Sequence, residues 1–285
     1  MSNLMQDRNV IVTGGSDGIG LATSRQLAAL GARVWIVGRN EEKTKKAVTD
    51  IVTVTSNEKV GYFIADLSVI SSIRKLAETI TSSMDHLDIL VNNAGAVFTR
   101  KQMSADGLEM TFALNHINYF LLTDLLLDLI RNGRNARIIN VSSSAHYSGH
   151  LDFKELQMVD RYNSMRVYSN SKLMNVLFTY ELVKRMNGNG ITVNALHPGF
   201  VASNFGKSNG GIMKPIFRML HFAAINVEEG AKTSVYLASS PEVDGVTGRY
   251  FDKCSEVRSS NESYDEKVAE KLWNETEKII ELHSR

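Results

Sequence analysis

Tyr168 and Lys172 stand four residues apart in a run that ends Ser169-Asn170-Ser171-Lys172. On an α-helix this spacing places a phenol and an ammonium one turn apart on one face. A tyrosine has an unperturbed pKa of about 10, and a neighbouring cation stabilises its phenolate, so we expect Lys172 to lower the pKa of Tyr168. Such a pair can exchange a proton with a substrate. A solvated surface pair of the same spacing is the alternative.

Composition limits the classes of function. The chain has 285 residues, and 43% hydrophobic residues are enough for a sizeable core. Lysine and arginine number 32 against 31 acidic residues, so charge gives no case for a nucleic-acid partner. Cys254 is the only cysteine, which suits a reducing compartment. The polar stretch from Met1 to Asn9 shows neither a secretory signal nor a membrane anchor, and we expect a cytoplasmic protein.

Short apolar runs rich in β-branched residues alternate with amphipathic stretches of helical length. This pattern is typical of a parallel sheet covered by helices on both faces. The predicted strands are Val10 to Thr13, Arg33 to Val37, Val60 to Asp66, Ile89 to Asn92, Ile138 to Ser142, Ile191 to Leu196 and Arg249 to Phe251. The helices with the clearest patterns are Leu21 to Leu30, Phe112 to Ile130 and Tyr168 to Met186. No linker or repeat divides residues 1–285, so we predict an α/β single-domain Rossmann fold with a doubly wound, mostly parallel, seven-stranded sheet flanked by helices.

A glycine-rich turn follows the first predicted strand. Gly14 permits a tight turn, Gly18 lets the backbone approach a pyrophosphate, and Gly20 allows the next helix to pack closely. The spacing is G-x-x-x-G-x-G rather than the generic G-x-G-x-x-G, and a flexible turn is the alternative. The cofactor-binding residues predicted here are Gly14, Ser16, Asp17, Gly18, Ile19 and Gly20.

Five motifs occur in a fixed order along the chain. They are Thr13-Gly14-x-x-x-Gly18-x-Gly20, Asn92-Asn93-Ala94-Gly95, Asn115, a serine after the fifth strand, and Tyr168-x-x-x-Lys172. Together they resemble the short-chain dehydrogenase/reductase family over nearly the whole chain. The runs from Arg137 to His146 and from Asn170 to Phe178 are most similar to its retinol dehydrogenase branch.

This resemblance implies four catalytic residues. Tyr168 would exchange a proton with the substrate oxygen, and Ser143, 25 residues earlier, would hold that oxygen. Lys172 would also bind the nicotinamide ribose, and Asn115 would hold a water that connects Lys172 to solvent. A bend or cap in an apolar helix is the alternative for Asn115. The stretch from His150 to Arg166 either borders the active site or is a surface insertion.

The end of the second strand indicates the choice of cofactor. NAD-preferring enzymes usually place an acid there, but this chain has Gly38 followed by Arg39, whose guanidinium suits the 2′-phosphate of NADP. We therefore predict NADP(H), with Asn40 and Lys43 nearby, against the alternative of a solvated loop arginine. The resemblance adds Asp66 and Leu67 at the adenine, Asn93, Ala94 and Gly95 beneath the cofactor, and Pro198, Gly199 and Val201 at the nicotinamide amide, besides Tyr168 and Lys172.

Residues 200–224 and about 262–285 lie outside the common motifs. The first segment has two glycines and several methionines, and it indicates a substrate lid with an apolar inner face. Such a lid favours a small hydrophobic aldehyde, ketone, retinoid-like or steroid-like substrate, whereas an amphipathic helix resting on a membrane is the alternative. The second segment forms a C-terminal helical extension that packs on the body or binds a partner, and a homodimer stays open. The expected function is an NADP(H)-dependent alcohol dehydrogenase or carbonyl reductase, and an NADP(H)-binding redox sensor or scaffold without turnover is the alternative.

Overall fold

The computed structural model describes residues 5–188, 190–199 and 226–283. The predicted lid at about 200–224, which includes Val201, lies outside the described residues. The described part alternates strands and helices in the order that the sequence predicts. It forms an α/β Rossmann-type structure with one open sheet.

Within the described ranges, eight strands form the sheet in the order β3-β2-β1-β4-β5-β6-β7-β8. They are β1 Asn9–Thr13, β2 Arg33–Gly38, β3 Val60–Ile64, β4 Ile89–Asn92, β5 Arg137–Val141, β6 Thr192–His197, β7 Tyr250–Asp252 and β8 Ser255–Val257. The first seven pair in parallel, whereas β8 is antiparallel to β7. The prediction of seven strands was therefore wrong by one. All three residues of β8 are exposed, so β8 has no apolar run to mark it. Lys253 and Cys254, at φ +48° and +60°, form the tight turn that creates it.

The helices cover both faces of the sheet. They are α1 Gly18–Ala29, α2 Glu41–Thr55, α3 Ile70–Ser83, α4 Met110–Phe112, α5 Asn118–Leu125, α6 Leu127–Arg131, α7 Ser164–Met186, α8 Val227–Ser239 and α9 Glu266–Leu282. One apolar cluster joins α3, α5, α7 and α9 to the first face, and a second joins α1, α2 and α8 to the other. No helix within the described ranges is long and apolar enough to cross a membrane.

The stretch predicted as one helix from Phe112 to Ile130 is interrupted. A π-helical segment, Ala113–Ile117, separates α4 from α5, and Leu126 separates α5 from α6. π-helical turns are rare and occur often at functional sites, and this one carries Asn115. α7 begins four residues before Tyr168 because the Asn163 side chain accepts a hydrogen bond from Arg166 N and caps the helix.

The order of the strands positions the site. The chain builds β1, β2 and β3 toward one edge and then returns to the other side of β1 with β4. At such a switch point the connections diverge and leave a crevice at the carboxyl ends of the strands. Most of the predicted site residues follow these strand ends, and Asn115, Tyr168 and Lys172 lie on the helical segments that come after β4 and β5.

Candidate active site

The glycine turn lies in the crevice between β1 and β4. Gly14 and Gly18 have φ of +65° and +52°, which L side chains rarely adopt. A Cβ on Gly20 would lie 2.3 Å from the carbonyl oxygen of Gly14. Asp17 caps α1 by accepting a hydrogen bond from Gly18 N at 2.8 Å. The turn therefore requires glycine and directs the amino end of α1 toward the crevice.

A second loop is fixed to this turn by Thr13. The Thr13 hydroxyl oxygen accepts hydrogen bonds from the backbone nitrogens of Asn93 and Ala94, both at 2.9 Å. Asn93 Nδ2 donates in return to the carbonyl oxygen of Thr13 at 2.8 Å. The loop that leads to Gly95 and the glycine turn therefore form one floor. Thr13 is the first residue of the glycine motif, but the sequence does not predict this role for it.

The end of β2 has no room for an acidic side chain. A Cβ on Gly38 would lie 2.2 Å from Thr44 Oγ1 and 3.1 Å from Ser16 Oγ. The side chain of Arg39 is 75% exposed, and its Nη1 lies 3.7 Å from Asp66 Oδ2. An exposed arginine and a glycine with no room for a side chain are thus neighbours at the rim of the crevice.

Charged and polar groups surround Arg39. Lys43 Nζ lies 2.7 Å from Asp17 Oδ2, and Asn40 caps α2 by accepting a hydrogen bond from Lys43 N. Burial raises the pKa of Asp66, but hydrogen bonds from Ser68 and the charge of Arg39 outweigh it, and the net pKa is lowered. Asp66 follows β3, which ends two residues earlier than predicted because Asp66 turns back to accept from Ser68 N.

Lys172 lies inside the molecule, with an exposed fraction of 3%. Its Nζ donates to the carbonyl oxygen of Val141 at 3.0 Å and lies 5.7 Å from the centre of the Tyr168 ring. The hydroxyl of Tyr119 also donates to Val141 O, at 3.3 Å. Burial lowers the pKa of Lys172 to about 7. The end of β5 thus anchors the amine beside the phenol.

Tyr168 and Ser143 face each other through a side-chain hydrogen bond. Burial raises the pKa of Tyr168 to about 12, and the bond with Ser143 offsets this only in part. The expectation that Lys172 brings the phenol toward neutral pH is therefore not met in this structure, because burial disfavours the phenolate and the ammonium alike. Ser143 Oγ also accepts from Ala145 N at 3.2 Å, whereas Ser142 Oγ donates to the carbonyl oxygen of Lys172.

Asn115 connects three parts of the site. Its Oδ1 accepts from Ala96 N at 2.9 Å, and its Nδ2 donates to Ala96 O and to Ser171 Oγ, both at 3.0 Å. A Cβ on Gly95 would lie 3.1 Å from Asn115 Oδ1 and 3.4 Å from Lys172 Nζ. Both amide hydrogens are thus used within the protein, and Asn115 holds the loop after β4 against α7.

The stretch from His150 to Arg166 packs between helix α7, which carries Tyr168 and Lys172, and the loop after β4. Leu151 and Met158 are buried, and His150 N donates to Asn170 Oδ1 at 2.9 Å. The hydroxyl of Tyr162 donates to the carbonyl oxygen of Phe98 on the opposite side. The stretch is therefore integrated with the elements that carry the site.

The remaining predicted residues lie at neighbouring strand ends. Leu67 is buried, and Pro198 and Gly199 directly follow β6, where Gly199 has φ of +86°. His197 Nδ1, at the end of β6, accepts a hydrogen bond from Ser144 N at 3.2 Å. Ser16 and Ile19 belong to the glycine turn and the first turn of α1.

An open, mostly parallel sheet with a glycine turn at its switch point, a serine after β5 and a tyrosine and a lysine on α7 is typical of a Rossmann-type oxidoreductase. A sequence model described as short chain dehydrogenase matches residues 8–211. The chain belongs to the short-chain dehydrogenase/reductase family, in its retinol dehydrogenase-like branch.

Relatives and solved structures agree with this assignment. Human retinol dehydrogenase 13 is 40% identical over 97% of this chain and 86% of its own length. Human polyprenol dehydrogenase is 37% identical over 95% of this chain and 84% of its own length. The Pseudomonas aeruginosa RhlG/NADP active-site complex has a TM-score of 0.71 and 27% identity, covering 88% of this chain and 96% of that one. A crystal structure of an uncharacterized protein from Mycobacterium paratuberculosis has a TM-score of 0.78 and 28% identity, covering 99% and 97%.

Proposed function

We propose that this protein is an NADP(H)-dependent oxidoreductase that interconverts a carbonyl and an alcohol on a small hydrophobic substrate. The observation that carries the choice of cofactor is the blocked position at Gly38 beside the exposed guanidinium of Arg39. An acid that accepts bonds from ribose hydroxyls has no room there, whereas Arg39 can turn toward a 2′-phosphate. The RhlG/NADP complex, a relative in fold, supports the same choice.

The crevice fits a nicotinamide dinucleotide. Its floor is lined by Gly14 and Gly18 at positive φ and by the fixed loop at Asn93 and Ala94, so backbone groups can approach a pyrophosphate closely. When bound, the nicotinamide supplies or accepts the hydride. The strand ends that flank this floor carry Asp66 and Leu67 after β3 and Pro198 and Gly199 after β6. We assign the adenine end of the cofactor to the first pair and the nicotinamide end to the second pair.

Three side chains bind the substrate oxygen or exchange protons beside it. Ser143 holds it with its hydroxyl, and Tyr168, protonated at neutral pH because its pKa is about 12, donates a proton to it in reduction. Lys172, next to the phenol with a pKa of about 7, can accept or return a proton near neutral pH. Asn115 keeps the loop after β4 and α7 in register around them.

The names of the relatives support a choice of substrate class. Proteins named retinol dehydrogenase and polyprenol dehydrogenase act, by their names, on apolar alcohols. We propose a hydrophobic primary alcohol or aldehyde of that kind as the substrate. The length of its hydrocarbon chain is a question for experiment.

Cofactor titration tests the proposal first. Dissociation constants for NADPH and NADH are measured on wild type, Arg39→Ala and the control Arg131→Ala, which removes an exposed arginine paired with an aspartate on α6. We expect Arg39→Ala to weaken NADPH about tenfold and to change NADH little. An unchanged preference in Arg39→Ala would contradict the assignment.

Turnover is tested separately. NADPH oxidation is followed with retinal, a short polyprenal, aliphatic aldehydes and steroid ketones, with Tyr168→Phe as the control. We expect turnover by wild type, and Tyr168→Phe should bind NADPH normally while losing at least 100-fold in kcat, a typical loss for a general acid. NADPH binding without turnover on any substrate would instead favour a sensor.

A further inference from the structure

Residues 258–264, between β8 and α9, contact three elements that surround the candidate site. We call this segment the strap. The hydroxyl of Tyr147 donates to the carbonyl oxygen of Arg258, and the hydroxyls of Tyr180 and Ser259 lie 2.7 Å apart. Glu262 accepts a hydrogen bond from Leu151 N. The strap therefore joins the turn after β5, helix α7 and the stretch that begins at His150.

A fourth contact runs through His146, whose side chain is fully buried. Its Nε2 lies 3.0 Å from Ser260 N, and its Nδ1 lies 2.7 Å from the carbonyl oxygen of Ser143. A backbone N–H can only donate, so Nε2 must be the unprotonated nitrogen. Nδ1 therefore carries the hydrogen and donates to Ser143. Both hydrogen-bonding positions of the ring are used, and together they fix the tautomer.

Aromatic rings hold the imidazole between these two bonds. The ring centres of Tyr147 and Tyr250 lie 4.1 Å and 4.6 Å from that of His146. The ring thus has little freedom to rotate. It connects the strap to Ser143, whose hydroxyl faces Tyr168, through a contact between His146 and Ser260, which lie 114 residues apart in the sequence.

We propose that His146 is a positioning residue that sets the position of Ser143 from the strap. The proposal rests on the assignment of Ser143 to the substrate oxygen. Because the bond reaches the backbone of Ser143, its loss lets the turn after β5 shift while the cofactor floor, built on β1 and β4, stays in place. The effect is therefore on turnover rather than on NADPH binding.

Two substitutions separate the two bonds of the ring. In His146→Asn the amide nitrogen takes the place of Nδ1 and keeps the bond to Ser143. In His146→Gln the amide oxygen takes the place of Nε2 and keeps the bond to Ser260. We expect His146→Gln to have at least a fivefold lower kcat than His146→Asn, the usual worth of one hydrogen bond, with NADPH dissociation constants within about twofold of wild type. Tyr147→Phe removes a different strap bond and serves as the control, with kcat expected to be unchanged.

Two further measurements keep the test decisive. Hydrogen exchange of a peptide covering residues 142–149 needs no turnover, and we expect faster exchange in His146→Gln than in His146→Asn. Ser260→Pro removes the donated N–H at a residue whose φ of −61° suits proline, and we expect kcat to fall about threefold. Equal kcat and equal exchange in the Asn and Gln variants, or a kcat that follows Tm across all variants, would overturn the proposal. Loss of wild-type turnover on every substrate would instead count against the proposed function, and the exchange data would still decide the role of His146.

Discussion

His116 lies in the π-helical segment beside Asn115, and its side chain is 1% exposed. Its Nε2 is 2.8 Å from the hydroxyl oxygen of Thr276, which itself donates to Leu272 O. Nε2 therefore carries the hydrogen, and Nδ1 has no hydrogen-bond partner among the described residues. Burial lowers the pKa of His116 from 6.5 to about 3.

This shift makes the stability of the protein depend on pH. Between pH 6.5 and about 3, the unfolded chain binds a proton at His116 that the folded chain does not bind. Stability from the neutral ring is fully present above pH 6.5 and is lost as the pH falls, at about 1.4 kcal/mol per pH unit. At pH 5 this group alone should lower the free energy of unfolding by about 2 kcal/mol relative to pH 7.5.

Urea denaturation of wild type and His116→Gln, at pH 7.5 and pH 5, measures this term. Glutamine keeps an N–H where Nε2 meets Thr276 and cannot titrate. We expect the variant to lose about 2 kcal/mol less than wild type on acidification, whatever its stability at pH 7.5. His283→Gln, on an exposed histidine at the end of α9, is the matched substitution. The same loss in wild type and His116→Gln would refute the reasoning.

Three other substitutions test different parts of the structure. Gly20→Ala places a Cβ 2.3 Å from the carbonyl oxygen of Gly14, so we expect a lower Tm and at least about tenfold weaker NADPH binding by fluorescence titration. Trp273→Ala removes a ring that packs on one phenylalanine of α5 and one of α7, and urea denaturation should show a loss of about 3–5 kcal/mol. Wild-type stability should rise between pH 7 and 10.5 relative to Lys172→Met, because the folded pKa of Lys172 is lowered to about 7 and the unfolded chain holds its proton longer. Parallel stability curves for those two proteins would contradict the burial of a charge at that position.

The sequence predicted the sheet well because buried parallel strands are continuous apolar runs. It missed β8 because an exposed three-residue strand has no such run, and its pairing depends on a turn at Lys253 and Cys254. It extended the helix after Phe112 without a break, since this segment is buried on nearly all sides and has no one-sided apolar stripe that a π-helical turn would interrupt. Local patterns therefore locate elements, but not the irregularities inside them.

For the candidate site too, local sequence patterns predict some residues and miss others. Motifs with fixed spacing predict Tyr168, Lys172 and the glycine turn as site residues, and the structure places helix α7 and the glycine turn at the same edge of the sheet. Thr13 and His146 were not predicted as site residues, because their partners lie about 80 and 114 residues away and nothing in the local sequence marks those contacts. The roles of both depend on which strands become neighbours, which only the topology determines.

Burial also determines the protonation states of Tyr168 and Lys172. Lys172 was expected to make Tyr168 a better acid, but Lys172 is itself buried, and among the described residues a backbone carbonyl at 3.0 Å and the faces of two tyrosine rings are the groups that stabilise its charge. At neutral pH the phenol is therefore protonated and the amine is close to its titration midpoint. A phenol in that state can donate before it can accept. Under the proposed function, this state suits the proton donation that carbonyl reduction requires, and alcohol oxidation needs additional positive charge near Tyr168 to stabilise its phenolate.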